Sequence, residues 1–126
     1  MRRAITTERA VAIGPYSHGV IAASGAIYLS GQTPLDPATG SLIEGDIQAQ
    51  TTQCLDNLEA VLRQAGLSFD NVVKCNVFLT DMANFAAMNE AYSRRFAAPY
   101  PARTTIGVAS LPANAAVEIE MIAQAQ

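Results

Sequence analysis

The sequence predicts an α+β fold, with a mixed six-stranded sheet and two helices on one face, in the order β-β-β-α-β-α-β-β. Apolar residues alternate along several short segments and recur at helical spacing along two longer ones. The length of 126 residues predicts a single domain over residues 1–126. Two helices can cover only one face of such a sheet, so its other face needs a partner.

Turn and capping residues mark the first strands and the first helix. Residues 17–23 and 26–31 have strand character, and a turn-rich stretch follows at 34–40. Asp46 is a good N-cap, and Gly66 fits a helix end where glycine adopts a left-handed conformation. Between them, seven residues recur at helical spacing on one face: Ile47, Thr51, Cys54, Leu58, Val61, Leu62 and Ala65.

The strand predicted at residues 71–80 is apolar on both faces. Its core face carries Val73, Cys75, Val77 and Leu79. With the strand at 103–109, it gives the uncovered face of the sheet four apolar residues: Val72, Phe78, Ile106 and Val108. Other copies of the same chain are the economical cover for such a face.

A second helix is predicted from Met82 or Asn84 to Phe96, because prolines follow at positions 99 and 101. Its inner face carries Phe85, Met88, Tyr92 and Phe96. The last strand, residues 115–123, alternates apolar residues with Glu118 and Glu120. The two carboxylates therefore point to the same side, about 6.5–7 Å apart.

Charge and composition argue against nucleic-acid and membrane partners. Eight Lys and Arg against eleven Asp and Glu give a net charge of −3, whereas nucleic-acid binders usually carry a basic surface. The most apolar stretch, residues 20–29, is much shorter than the roughly 20 residues of a membrane span. Cys54 and Cys75 form no CxxC pair, and no signal-peptide pattern follows Arg2 and Arg3. We therefore expect a cytoplasmic protein.

The motifs of metal and nucleotide enzymes are missing from the sequence. A single histidine and two separated cysteines give no zinc spacing, and there is no dinucleotide or P-loop glycine motif. If the protein is an enzyme, we expect it to need no metal and no cofactor. His18, as a lone histidine, is more simply a packed or solvated side chain than a base.

Three charged residues carry the chemical alternatives. Glu118 and Glu120 fit general acid/base work, but they also fit a solvated outer face of the last strand. Arg103 opens a strand of Thr, Ile, Gly and Val, and on pattern alone it is a surface charge. If the uncovered face is buried between subunits, however, Arg103 needs an anion, and a guanidinium holds a carboxylate through two parallel hydrogen bonds.

At these residues the sequence resembles the RidA family (reactive intermediate deaminase A, also called the YjgF family). The resemblance extends from residue 13 to residue 123 and includes six short motifs in order at compatible spacing. They are Ile13-Gly14-Pro15-Tyr16, Ser30-Gly31-Gln32, Leu55-Asp56-Asn57, Pro101-Ala102-Arg103-Thr104, Leu111-Pro112 and Val117-Glu118-Ile119-Glu120.

The resemblance implies a chorismate-mutase-like fold and a homotrimer with a site in each cleft between subunits. It implies hydrolysis of 2-imino acids or their enamine tautomers (2-aminoacrylate, 2-iminopropanoate, 2-iminobutanoate) to 2-keto acids and ammonia. Arg103 matches the family's carboxylate-binding residue and Glu118 its water-orienting residue. Tyr16, Ser30 and Asn89 match its pocket residues.

Two departures from the family pattern bear on the site. Thr105 stands where many members have cysteine, at a position whose backbone carbonyl helps to hold the water, so we expect threonine to be tolerated. The stretch 96–103 is shorter than in the archetype and is expected to border the cleft.

The family also contains 2-aminomuconate deaminases and proteins described as translation inhibitors or ribonucleases. Two alternatives therefore stay open: an RNA-cleaving or translation-inhibiting protein, and a non-catalytic trimeric sensor of small carboxylates.

Overall fold

A computed structural model describes residues 1–125, and this part of the chain forms the predicted mixed sheet of six strands with two α-helices. Gln126, the last residue of the predicted domain, lies outside the described residues. The strand order is β1-β2-β3-β6-β4-β5, with β4 and β5 parallel and the other neighbours antiparallel. In chain order the elements are β1 (Arg3–Ile5), β2 (Gly19–Ile21), β3 (Ala26–Gln32), α1 (Ile47–Gln64), β4 (Val72–Leu79), α2 (Phe85–Ser93), β5 (Ala102–Gly107) and β6 (Val117–Gln124).

The ends of α1 are those that the sequence predicts. The Asp46 carboxylate accepts a hydrogen bond from the backbone N–H of Ala49 at 2.9 Å, which caps the N-terminus. Gly66 has φ 76°, and the N–H of Leu67 donates to the carbonyl of Leu62 at 2.9 Å. Between these caps the helix buries one face against the sheet: Thr51, Cys54, Leu55, Asn57, Leu58, Val61 and Leu62.

The prediction for the start of β4 is wrong at two residues. Val73, expected in the core, is 51% exposed, and Val72, expected on the uncovered face, is buried in the core. The cause is a β-bulge, because Val72 pairs with Ala123 whereas Lys74 pairs with Ile122, and so Val73 is an extra residue. Beyond the bulge the prediction is confirmed: Cys75, Val77 and Leu79 are completely buried.

The second helix is shorter than predicted. A 3₁₀ turn at Met82–Asn84 precedes it, and it ends at Ser93 rather than at Phe96. Phe96 is still buried, because its ring packs against Tyr92 and Phe69 with centroid distances of 4.6 and 4.9 Å. Met88 and Tyr92 are buried as expected, whereas Phe85 is 36% exposed.

Both helices lie on one face of the sheet, and the other face is open. On β6, Val117, Ile119 and Met121 are buried under the helices, whereas Glu118 and Glu120 lie on the opposite side and are half-buried. Apolar side chains on this open face include Ile106, which is 46% exposed, as the sequence predicts. Within residues 1–125, none of the helices has the length and apolar character that crossing a membrane requires.

Candidate functional site

The first candidate cleft lies on the open face, between β3, β6 and the loop that precedes β2. Its volume is about 290 Å³. We call it the Glu118 cleft, and it is lined by Ile13, Tyr16, Ser30, Gly31, Thr33, Pro112 and Glu118. Three of the six predicted site residues, Tyr16, Ser30 and Glu118, therefore come together here.

A bulge in β3 places the carboxylate of Glu118 in this cleft. Leu29 pairs with Met121 but Gln32 pairs with Ile119, so two residues of β3 stand opposite one residue of β6. Bulges of this kind often redirect side chains beside functional sites. The second of the two residues is Gly31, and a Cβ added there would lie 3.0 Å from Cδ of Glu118. The carboxylate thus occupies space that only glycine leaves free.

Backbone groups fix the two hydroxyl groups of the Glu118 cleft. The Ser30 hydroxyl donates to the carbonyl of Ser17 at 2.6 Å, and the Ser30 N–H donates to the carbonyl of His18 at 2.9 Å. The Tyr16 hydroxyl accepts from the N–H of Ile13 at 3.2 Å. Both hydroxyls are held without help from a ligand.

Asn57 of α1 supports the loop behind the Glu118 cleft. It is almost completely buried, and its side-chain amide donates to the carbonyls of Thr33 and Leu35 at 3.4 and 2.9 Å. Its amide oxygen accepts from Gln53 at 2.9 Å. The asparagine of the Leu55-Asp56-Asn57 motif therefore acts through the backbone that it holds.

Burial raises the pKa of Glu118, and the nearby charge of Glu120 raises it further. Both effects disfavour the ionised carboxylate, which makes Glu118 a stronger base when it is ionised. A carboxyl group tuned in this way, in a cleft, is suited to hold and partly deprotonate a water molecule. The pattern of β6 does not distinguish the two carboxylates, but only Glu118 lines the cleft.

The second candidate cleft lies beside α2, on the face of the sheet that carries the helices. Its volume is about 410 Å³. We call it the Arg103 cleft, and it is lined by Asn89, Tyr92, Ser93, Tyr100, Pro101 and Arg103. The guanidinium carbon of Arg103 lies 4.8 Å from the ring centroid of Tyr92 and 5.8 Å from that of Phe85. These two rings hold the guanidinium against α2.

Several polar atoms near Arg103 have no partner in the part of the chain described. Arg103 forms no ion pair among residues 1–125, although Arg63, Arg94 and Arg95 all do. Asn89 Oδ1 and Thr105 Oγ1 are buried without a hydrogen-bond partner in the same residues. Buried polar groups are rarely left unpaired, which makes this region a candidate for contacts with another molecule.

Tyr92 adds a buried hydroxyl to the Arg103 cleft, beside the thiol of Cys75. Burial raises the pKa of Tyr92 first of all, so this phenol stays protonated. Its side chain, assigned to the core by its helical spacing, also forms the platform under Arg103.

The two clefts lie on opposite faces of the sheet. Arg103 pairs with Cys75 of β4 on the helix side, whereas Glu118 pairs with Phe78 on the open side. Arg103 and Glu118 are two strands and three residues apart, which corresponds to about 14 Å between their backbones. The side chain of Arg103 lies against Tyr92 of α2, so it is not on the face that the helices leave uncovered.

His18 and the two cysteines are packed side chains, as the sequence predicts. His18 is buried, its Nδ1 accepts from the N–H of Thr7 at 3.2 Å, and burial lowers its pKa. Cys54 and Cys75 are buried free thiols whose pKa values are raised by burial.

Sequence patterns did not identify Gly31 or Asn57 as parts of the site, although both stand inside the quoted motifs. Across residues 1–125, His, Cys, Asp and Glu form no group that could hold a metal ion.

Comparison with known proteins shows the family to which this chain belongs. The family model described as Endoribonuclease L-PSP matches residues 6–125. A Myxococcus xanthus protein named DfrA is 48% identical over 97% of this chain and 95% of its own length. The 2-iminobutanoate/2-iminopropanoate deaminase of Capra hircus is 44% identical over 98% of this chain and 90% of its own length.

A solved structure from Yersinia pestis, described as a member of the conserved Rid protein family, has the same fold. It is 44% identical to this chain, superposes with a TM-score of 0.94, and the match covers 99% of this chain and 100% of that one. Sequence and structure thus agree along essentially the whole chain, and the motifs around Arg103 and Glu118 lie within the matched region. The chain belongs to the RidA family, whose family model is described as Endoribonuclease L-PSP.

Proposed function

We propose that the protein hydrolyses 2-imino acids, or their enamine tautomers, to 2-keto acids and ammonia. The substrates expected are small: 2-aminoacrylate, 2-iminopropanoate and 2-iminobutanoate. The reaction adds one water across the C=N bond of a protonated imine and releases ammonium, leaving a C=O group. The name of the Capra hircus relative supports this class of reaction.

The observation that carries the proposal is the unpaired guanidinium of Arg103. A charge that is held over Tyr92 and forms no ion pair with the described residues is ready to receive an anion. The carboxylate of a 2-imino acid fits it with two parallel hydrogen bonds. The Asn89 side chain, which lines the same cleft, supplies a further polar contact for the bound molecule.

Glu118 supplies the second half of the chemistry. It orients a water molecule and accepts a proton from it as the water oxygen attacks C2 of the imine. A positioned base of this kind typically contributes about 10²–10⁴ in rate. Because a protonated imine carbon is already electrophilic, the step needs no covalent nucleophile, and the two buried thiols take no part in it.

We propose that a complete site is formed by two copies of the chain. Arg103 and Glu118 point away from each other across one sheet, which supports a site that lies between two protomers. The open apolar face, with Phe78 and Ile106, provides surface for such contacts. We propose the homotrimer that the family resemblance implies, with the Arg103 cleft of one subunit facing the Glu118 cleft of the next.

A coupled assay tests the activity directly. 2-Iminopropanoate is generated in situ from serine by a dehydratase, and its decay is timed with and without the protein. We expect faster decay with the protein and no such effect with Arg103→Ala. If the wild-type protein leaves the decay unchanged, the proposed activity is wrong.

A subunit-mixing experiment tests the shared site. We expect Arg103→Ala and Glu118→Gln each to be strongly impaired, but subunits exchanged between them at equal amounts can pair an intact Arg103 with an intact Glu118. For random mixing in a ring we expect about a quarter of the sites to be complete, and activity to return to that level. Light scattering should give about three times 13.3 kDa for each protein. No recovery on mixing would place both residues of a site in one chain.

RNA cleavage is a second candidate, because the matching family model is described as an endoribonuclease. The net charge of −3 disfavours it. Incubating labelled RNA with the wild-type protein and with Glu118→Gln separates the two candidates. Cleavage by the wild type that Glu118→Gln abolishes would support the ribonuclease. Carboxylate binding without any turnover would instead support the sensor.

A further inference from the structure

The hydrogen bonds of Ser30 fix which way its hydroxyl points. A serine hydroxyl has one proton and two lone pairs. At 2.6 Å from the carbonyl oxygen of Ser17, which can only accept, the Ser30 proton is committed to that bond. The Ser30 N–H is also committed, to the carbonyl of His18. Toward the Glu118 cleft, Ser30 can therefore only accept a hydrogen bond.

Tyr16 has the opposite arrangement. Its oxygen accepts a hydrogen bond from the N–H of Ile13, which can only donate, so the phenolic proton stays free. Both residues line the same cleft as Glu118. The cleft thus offers a fixed acceptor at Ser30 and a free donor at Tyr16, and backbone groups rather than a ligand set this difference.

From this polarity we propose that Ser30 is a specificity-determining residue that distinguishes the imine substrate from the keto-acid product. This inference rests on the proposed function. A protonated imine carries N–H donors where the product carries a carbonyl oxygen, which can only accept. The Ser30 lone pairs therefore attract the substrate nitrogen and repel the product oxygen that replaces it.

The reaction turns an attractive contact at Ser30 into a repulsive one, without any movement of the protein. Water adds to C2, the C–N bond breaks, the nitrogen leaves as ammonium, and a C=O group remains. The Ser30 oxygen, which accepted a hydrogen bond from the N–H of the substrate, then faces the carbonyl oxygen of the product. Both oxygen atoms present only lone pairs to each other. A site built around a donor discriminates against an analogue that lacks it, because its acceptor is left unpaired. Product release is thereby favoured as soon as the bond has broken.

Equilibrium binding tests this inference without turnover. The probes are 2-aminobutanoate, which has an ammonium donor at C2, and 2-oxobutanoate, which has only an acceptor there, each titrated by calorimetry. In Ser30→Ala we expect the affinity for 2-aminobutanoate to fall about tenfold, as for one hydrogen bond to a charged group, while 2-oxobutanoate binds as well as before or better. The ammonium of 2-aminobutanoate is also attracted to Glu118. The measured quantity is therefore the ratio of the affinities for 2-aminobutanoate and 2-oxobutanoate, compared between Ser30→Ala and the wild type.

Two further variants control for structural effects. Tyr16→Phe removes the donor, so it should weaken 2-oxobutanoate more than 2-aminobutanoate. Ser24→Ala removes a comparable hydroxyl, one that accepts from the N–H of Ala26 in the turn between β2 and β3, and it should leave both affinities unchanged. Equal weakening of both ligands by Ser30→Ala, or no change in either, would overturn the role of Ser30. If the wild-type protein hydrolyses 2-iminopropanoate in that case, the proposed function stands; if it does not, the function itself has failed.

Discussion

The Glu118 cleft and the Arg103 cleft satisfy their polar groups in different ways. In the first, hydroxyl and amide groups bond to backbone atoms of the same chain: Ser30 to Ser17, Tyr16 to Ile13 and Asn57 to Leu35. In the second, Asn89 Oδ1 finds no partner in the described chain, and neither does Thr105 Oγ1, two residues along β5 from Arg103. Contacts within one chain therefore fix the hydroxyl groups of the Glu118 cleft, whereas the polar groups in and beside the Arg103 cleft are open to a ligand.

This difference separates stability from binding. Substitutions behind the Glu118 cleft should change the free energy of unfolding, because they break bonds that one chain makes with itself. Substitution of Arg103 should change ligand affinity and turnover with little effect on folding.

Loss of Arg103 should have the largest effect. Arg103→Ala should abolish imine hydrolysis while the thermal unfolding temperature stays close to that of the wild type. Losing one partner of a desolvated charge pair costs about 2–5 kcal/mol in binding. Arg103→Lys should also be badly impaired, because an ammonium group does not reproduce the two parallel hydrogen bonds.

Arg94 provides the matched control for this test. Its side chain is largely exposed on the solvent side of α2 and pairs with Glu90 at 3.1 Å, so Arg94→Ala should keep full activity. Near-normal activity in Arg103→Ala would reduce Arg103 to a surface charge.

Glu118→Gln should lower turnover by about 10²–10⁴, the contribution of a positioned base. The substitution keeps the size and hydrogen-bonding reach of the side chain, so binding of 2-oxobutanoate should be largely kept. Glu120→Gln, the control on the same face of β6, should change turnover little. Steady-state kinetics with in situ imine generation measures both. The reverse order of effects would assign the water to Glu120.

Gly31→Ala should lower turnover about tenfold to a hundredfold, because its Cβ displaces the carboxylate that activates the water. The fold should be kept, since a flexible side chain can move aside. Gly107→Ala is the matched control: its Cβ would lie 3.0 Å from the side chain of Met82, on a strand that β4 separates from β6. If Gly31→Ala has wild-type kinetics, the position of the carboxylate is less critical than the close contact suggests.

Asn57→Ala should destabilise the protein by about 1–3 kcal/mol, because the carbonyls of Thr33 and Leu35 lose their buried donor. Denaturant unfolding monitored by circular dichroism measures this change. Gln53→Ala removes only the bond to the Asn57 oxygen and should cost less than about 1 kcal/mol. Equal costs for the two variants would mean that the loop behind the cleft does not depend on Asn57.

The smallest effect should be a shift in pH dependence. Burial and the charge of Glu120 raise the pKa of Glu118, and the base must be ionised to act. Activity should therefore rise with pH through the raised pKa of Glu118. Glu120→Gln removes the repelling charge, so it should move this rise to lower pH without changing the plateau. A rise that moves to higher pH, or does not move, would contradict the coupling of the two carboxylates.

Most of the regular elements could be predicted because local chemistry sets them, although no pattern placed β1 at Arg3–Ile5. Asp46 and Gly66 define the ends of α1 through their own capping geometry, and the alternation along β6 gives the side of Glu118 correctly. Local patterns fail where tertiary contacts decide. The extra residue Val73 is not recognisable as a bulge, and Phe96 is buried by stacking on Tyr92 and Phe69 outside any helix.

The site was only partly predictable for the same reason. Family motifs pointed to Arg103 and Glu118, but the alternation within one strand gives no position relative to another strand. Only the order of β6, β4 and β5 shows that the two side chains lie on opposite faces. The role of Gly31 likewise depends on the register between β3 and β6, which single-strand patterns do not contain.

If the site is shared between protomers as proposed, the opposite orientation of Arg103 and Glu118 makes the ligand a component of the assembly equilibrium. A small carboxylate that binds across two protomers has affinity for the assembled form and little for the separate chain. By mass action it then lowers the concentration at which subunits dissociate, by a factor that grows, for each site, with the ratio of ligand concentration to its Kd. Cells in which such carboxylates accumulate would thereby hold more of the protein in its assembled state, without any change in its synthesis.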